Sequence, residues 1–232
     1  MSGFGLVKNN LTGFTPLQLG PGTCVQWLHA NRGVTLVSTK VSQWNDLSGR
    51  GNHCTQGTDA NRPTVQSSAI NGLPTIAFTN PQTLLHSLRV QAPSTIVVVA
   101  KSAANPGVNY GSIGSWSAGL GGIFVFGVAS GFNQWGVYAN GNALSGASLN
   151  AFKRCVAVIR AANDIDLRTN GSSVTSTSGT TLYVVTSQIG AGFTDGTQCL
   201  EGEIAEIIVF NRALLATECQ RLEGYLAVQY GL

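Results

Sequence analysis

Charge is what this 232-residue sequence has least of: Asp, Glu, Lys and Arg together make up 10% of it, against about a quarter in ordinary soluble domains. Hydrophobic residues reach 43%, which excludes a disordered chain, since disorder pairs low hydrophobicity with high charge. Thirteen Lys and Arg against ten Asp and Glu leave a net charge of +3. They form no run or stripe of the kind that nucleic acid demands, so no nucleic-acid partner is expected. The longest purely apolar stretch, 96–100, is too short to cross a bilayer, and no membrane partner is expected either. Residues 1–10 show no cationic start leading into an apolar run, which argues against a secretory signal. Five cysteines stand at Cys24, Cys54, Cys155, Cys199 and Cys219, with no CxxC pair and no neighbouring His cluster. Such an odd, scattered set excludes a disulfide framework and a zinc site. The expectation is buried thiols in a reducing cytosol, with a single Cys155–Cys199 bridge as the alternative.

What is present is glycine and short apolar runs. The 29 glycines are spread along the chain and punctuate segments that read as strands: 75–78, 94–101, 123–128, 135–139, 154–160, 165–169, 188–192 and 203–210. The run Thr95-Ile96-Val97-Val98-Val99 is apolar on both faces, the mark of a central strand covered on each side. Asn170-Gly171 has the chemistry of a type I′ hairpin turn, and Asn140-Gly141 resembles it. One helix stands out at 216–229, where Cys219, Leu222, Tyr225, Leu226 and Tyr230 recur at helical spacing and Gly231 supplies the stop. Leu215 occupies the usual N-cap position, so Thr217 is expected to cap instead. The chain reads as an all-β antiparallel β-sandwich with one C-terminal helix.

Residues 1–22 differ in character, with five glycines, two prolines and no sustained alternation. They read as an N-terminal arm, followed by one domain at 23–232. Phe4, Leu6, Val7, Leu11 and Phe14 are the arm's anchors, expected to lie on a neighbouring subunit. Removing the arm is expected to leave a folded domain that no longer assembles.

Two segments carry a resemblance. The first is Gln43-Trp44-Asn45-Asp46-Leu47-Ser48-Gly49-Arg50-Gly51-Asn52-His53, with Arg62-Pro63-Thr64 and Asn71-Gly72-Leu73-Pro74-Thr75-Ile76-Ala77-Phe78 after it. The second is Gly202-Glu203-Ile204-Ala205-Glu206-Ile207-Ile208-Val209-Phe210-Asn211-Arg212-Ala213-Leu214, running to Tyr230-Gly231-Leu232. Both resemble the laminin-G-like, concanavalin A-like jelly-roll domains of bacterial surface proteins and phage virion proteins. That resemblance implies a jelly roll and a non-enzymatic role: a phage virion surface protein in capsid decoration, a fibre or a tail tip. It implies partners among other virion proteins or its own copies, a homo-oligomer, and assembly into the virion in the host cytoplasm. A lectin-like module binding surface glycans, at an extracellular location, is the alternative.

The candidate sites each have a plain structural reading beside the chemical one. Glu201, Glu203 and Glu206 echo the paired carboxylates of retaining glycosidases, which stand about 5–5.5 Å apart; the family resemblance favours a non-catalytic role, and no catalytic residue is assigned. Asp46 and Asn52 offer oxygens of the kind calcium takes, but a turn bonding its own backbone accounts for them as well, so no metal or cofactor is expected. Trp116, Trp135, Tyr138, Asn133 and Asn140 are the candidate carbohydrate-binding set: rings for stacking beside amides for hydroxyls. Ordinary core packing competes for the same aromatics.

Overall fold

The apolar runs that betray central strands are buried on both faces in the computed structural model, which describes residues 13–102, 112–113, 125–128, 134–138, 142–144, 148–161, 164–176, 183–185, 188–191 and 199–232. The central sheet runs in the order Cys24–His29, Gly202–Phe210, Ser94–Ser102, Lys153–Ala161, Asp164–Thr169 and Ser172–Ser176, antiparallel throughout. Successive side chains of a strand point to opposite faces. Accordingly Ile96, Val98 and Ala100 enter one core and Val97 and Val99 another. Cys155, Ala157 and Ile159 divide from Val156 and Val158 in the same way.

The first core is closed by a second sheet. Lys40–Trp44, Cys54–Thr55, Leu84–Leu85 and Gln188–Ile189 run side by side and send Trp44, Cys54, Leu84 and Ile189 inward. Ser112–Ile113, Val125–Val128, Trp135–Tyr138 and Asn142–Leu144 continue that layer. The hairpin Thr64–Ile70 and Leu73–Phe78 stitches the layers, pairing Thr64 with Lys40 and residues 76–78 with 202–204. Asn71 and Gly72, at its tip, both have positive φ. The Asn170-Gly171 turn does too, with φ of 47° and 87°, as a type I′ turn requires. Asn140-Gly141 lies outside the described residues. The all-β sandwich with one C-terminal helix stands as read from the sequence.

The second core lies under the helix Ala216–Tyr230, which buries Cys219, Leu222, Tyr225, Leu226 and Tyr230. Its start is capped by Glu218, not Thr217: the Leu215 N–H donates to the Glu218 carboxylate at 2.8 Å, and Arg212 pairs with the same carboxylate at 2.6 Å. Three residues beyond the cap is where a side chain can reach back to it. Gly231, with φ 69°, ends the helix by donating to Ala227 O. Arg168 grips Glu223 through two hydrogen bonds of 3.0 and 2.9 Å and fixes the helix to the sheet.

Strand Gly202–Phe210 is irregular at its middle. Its register against Ser94–Ser102 skips between Ile204 and Glu206, so Ala205 is an extra residue and Glu206 turns toward the helix. At the same point its other edge passes from Leu73–Phe78 to Cys24–His29, and Ala30 N–H bonds Ala205 O at 2.9 Å. The strand opens on Gly202 because a β-carbon there would stand 2.2 Å from Lys101 O.

The segment from Gly13 onward belongs to this second core. Phe14 and Leu19 are 7% and 3% exposed; Phe14 meets Tyr225 edge-on at 5.5 Å, with the Arg221 guanidinium 4.6 Å above its ring. Phe14, expected to anchor an arm on a neighbour, is therefore an anchor on its own domain, because the helix leaves an aromatic wall that it fills. The other anchors, Phe4, Leu6, Val7 and Leu11, lie outside the described residues. All five cysteines are buried and none is in a disulfide, Cys155 and Cys199 included. Burial pushes the Cys155 thiol up to about 12. No helix among the described residues is long and apolar enough to cross a membrane.

Candidate functional site

Where the N-terminal segment, the end of the first strand and the last turns of the helix meet, a groove of about 290 Å³ opens. Phe14, Trp27, Tyr225, Arg32 and Gln229 are among the residues that line it. Trp27 and Tyr225 are 5% and 9% exposed, so the rings offer edges rather than whole faces; Arg32 is exposed and Gln229 half-buried.

Trp27 and Tyr225 both reach a buried acid, Glu206, which is 1% exposed. The Trp27 indole N–H donates to its Oε1 at 2.6 Å, the Tyr225 hydroxyl to the same oxygen at 3.2 Å, and the Tyr230 hydroxyl to Oε2 at 2.8 Å. Burial pushes the Glu206 carboxyl up to about 7, against the pull of these three donors. Both oxygens are occupied and roofed over, so Glu206 positions Trp27 and the helix rather than touching a ligand. His29, opposite Glu206 on the strand ladder, is held near 4 by burial and by Arg32, and is neutral. Its Nδ1 accepts Asn31 N–H at 3.1 Å, and its Nε2 lies against the Gln229 amide. One buried imidazole thus holds both the turn that carries Arg32 and the helix residue across from it.

A second groove, of about 320 Å³, lies on the other side of the N-terminal segment among Gln18, Arg212, Glu218 and Arg221. Two of its ionic groups engage each other: Arg212 pairs with Glu218 at 2.6 Å and also bonds Leu19 O. Of these two grooves, the first combines aromatic edges, an amide and a guanidinium that is in no ion pair among the described residues.

The residues expected from sequence to bind carbohydrate are placed elsewhere. Trp135 is 1% exposed in the sandwich core; a ring enclosed by apolar neighbours has no free face for a sugar, and it is corrected to a core residue. The backbone of Tyr138 ends strand Trp135–Tyr138, while Trp116, Asn133 and Asn140 lie outside the described residues. Asp46 is a structural knot: it accepts from Trp27 N–H, Ser48 N–H and Oγ–H, and Asn52 N–H, at 2.7–3.0 Å. Asn52 in turn donates to Val25 O at 2.7 Å and accepts from Gln26 at 2.8 Å. Four donors occupy the carboxylate that calcium would need bare. No cluster of three or more His, Cys, Asp or Glu suited to a metal ion occurs among the described residues. Glu203 pairs with Lys101 at 2.8 Å and accepts from Thr75 at 2.6 Å, sharing neither partner with Glu206; Glu201 is exposed. Sequence reasoning missed Arg32 and Gln229 altogether. The signal for part of the site was there, since Tyr225 and Gln229 stand four residues apart on one helical face.

No family model and no curated protein matches the sequence. Solved structures do. Domain 4 of AbnA, a GH43 extracellular arabinanase from Geobacillus stearothermophilus in complex with arabinotriose, matches 87% of this chain and 98% of its own, at 11% identity and a TM-score of 0.62. A Trypanosoma rangeli sialidase mutant displaying trans-sialidase activity matches 90% of this chain at 15% identity and a TM-score of 0.60. A GH54 α-L-arabinofuranosidase matches 82% of this chain and 51% of its own, at 11% identity and a TM-score of 0.60. The likeness is one of fold. This chain spans about a third of the sialidase's length.

These matches overturn the reading of a non-enzymatic virion protein. The β-sandwich similar to this one occurs in glycoside hydrolases, and none of these structures is a capsid, fibre or tail protein. The misreading had a physical source: Gly-Glu-Ile-Ala-Glu and the Trp-Asn-Asp loop are packing motifs of the sandwich, and such motifs report fold and not setting.

Proposed function

We propose that this domain binds carbohydrate in the groove between Phe14, Trp27, Arg32, Tyr225 and Gln229, as the sugar-holding part of a carbohydrate-active enzyme. The observation that carries the reading is the groove itself: aromatic edges from Trp27 and Tyr225 beside the Arg32 guanidinium and the Gln229 amide. Sugars present apolar C–H faces and hydroxyls together, which such a mixture answers. The domain-for-domain likeness to AbnA domain 4, a structure holding arabinotriose, supports it. At about 290 Å³ the groove lies at the lower end of small-molecule sites, which start near ~300 Å³, and suits a short oligosaccharide.

The test is a neutral and charged glycan array followed by titration of the strongest binders, arabinotriose included. Saturable binding weakened about tenfold by Gln229→Ala is expected. Absence of binding across the array, or binding indifferent to Gln229→Ala and Arg32→Gln together, overturns the reading. The same oligosaccharides are followed for cleavage, and hydrolysis abolished by Glu203→Gln would put a catalytic centre on this domain instead.

A further inference from the structure

Charge in the groove is one-sided. Arg32 is the ionised residue of its lining, and no carboxylate lines it among the described residues. Arg62, Arg160, Arg168 and Arg212 each face an Asp or Glu; among the described residues no ion pair involves Arg32, Arg50 or Arg221, and of these three it is Arg32 that lines this groove. The nearest acid beneath, Glu206, is sealed by Trp27, Tyr225 and Tyr230, and its raised carboxyl leaves it largely uncharged below neutrality.

The turn that presents Arg32 is built to hold still. Arg32 N–H bonds His29 O at 2.9 Å, and Gly33 O accepts both Asn45 N–H and the Asn45 amide, at 2.8 and 2.6 Å. His29 joins Asn31 on this turn to Gln229 on the helix. A guanidinium presented from a pinned turn loses less freedom on binding than one on a loose loop, and its fork matches a carboxylate.

We propose that the groove takes an acidic saccharide, whose carboxylate pairs with Arg32 while Gln229 bonds its hydroxyls and Trp27 and Tyr225 flank its ring. This rests on the carbohydrate reading above and names the class of sugar.

Matched pairs test it: 3′-sialyllactose against lactose, and trigalacturonate against galactotriose, titrated calorimetrically at low salt. The acidic member of one pair is expected to bind about tenfold tighter, and which pair shows it distinguishes a nonulosonic from a uronic acid. Arg32→Gln removes that preference, bringing the acidic member of the pair to the affinity of its neutral partner. Arg221→Gln, which deletes a guanidinium lying over Phe14, keeps the preference. Equal affinity within both pairs, a preference that survives Arg32→Gln, or one lost equally in Arg221→Gln overturns the acidic class and leaves carbohydrate binding standing. Silence from all four sugars also overturns it, and the neutral members of the array then decide the broader reading.

Discussion

Between the two sheets, the core is dominated by side chains with nothing to hydrogen-bond: Leu28, Ile76, Phe78, Ile159 and Leu167 are each at most 1% exposed. Under the helix, the same central sheet meets Trp27, Glu206, Tyr225 and Tyr230, whose polar tips converge on one carboxyl. Apolar contacts are non-directional and tolerate many arrangements of similar volume. A converging set of hydrogen bonds admits few. The first face therefore holds the sandwich together, and the second orients a helix and a strand closely enough to shape the groove at their margin.

The largest effect expected from breaking this comparison is on the sandwich side. Phe78→Ala should lower unfolding free energy by about 3–5 kcal/mol, read by urea denaturation, while sugar affinity of the folded fraction is unchanged. A loss below about 1 kcal/mol would mean that the inter-sheet core is not the main source of stability.

Next comes the buried carboxyl. Glu206 is raised by burial from 4.5 to about 7, so the folded chain holds its proton more tightly than the unfolded one. Its stabilisation is complete below about pH 4.5 and lost as pH rises through about 7. His29 and His86, each lowered from 6.5 to about 4 by burial, act oppositely: their contribution is present above 6.5 and lost as pH falls toward 4. Comparing wild type with Glu206→Gln cancels the histidines. The stability difference between the two should decline by about 3 kcal/mol from about pH 4.5 to mildly alkaline pH, and a flat difference would show an ordinary carboxyl.

The smallest effect sharpens the boundary of the helix-side core. Phe14→Ala should cost about 1.5–3 kcal/mol and weaken sugar binding by removing a groove wall. No change in either measurement would detach the N-terminal segment from this face.

Strands buried on both faces were legible in the sequence because unbroken apolar runs admit few other readings. The segments 94–101 and 203–210 fall within one residue of Ser94–Ser102 and Gly202–Phe210. The helix was equally plain, with its periodicity and glycine stop. Strand Cys24–His29 escaped notice because Gln26 and His29 interrupt its pattern, yet they are 1% and 2% exposed: their polar groups are satisfied by Asn52, Asn31 and Gln229, residues far off or around a turn. The groove was not legible for a related reason. It depends on one extra residue, Ala205, that aims Glu206 at the helix, and on Phe14 lying against Tyr225 from the far end of the chain; neither leaves a local pattern. Free aromatics in Gly-rich stretches drew attention instead, and the one whose side chain is described, Trp135, is core.

The pairing of Cys24–His29 with Gly202–Phe210 also sets a timetable. The Trp27–Glu206 hydrogen bond joins residues 179 apart, and long-range pairings of this sort fold slowly. At about 5–20 residues per second, a ribosome needs roughly 10–35 s after making Trp27 before it makes Glu206. Throughout that interval Trp27 and Leu28 have no native partner strand on that edge, and the central sheet lacks the strand between its first and third members. The domain therefore closes only after Gly202–Phe210 has been made, and until then its nascent form is an open sheet edge that must be kept from pairing with others.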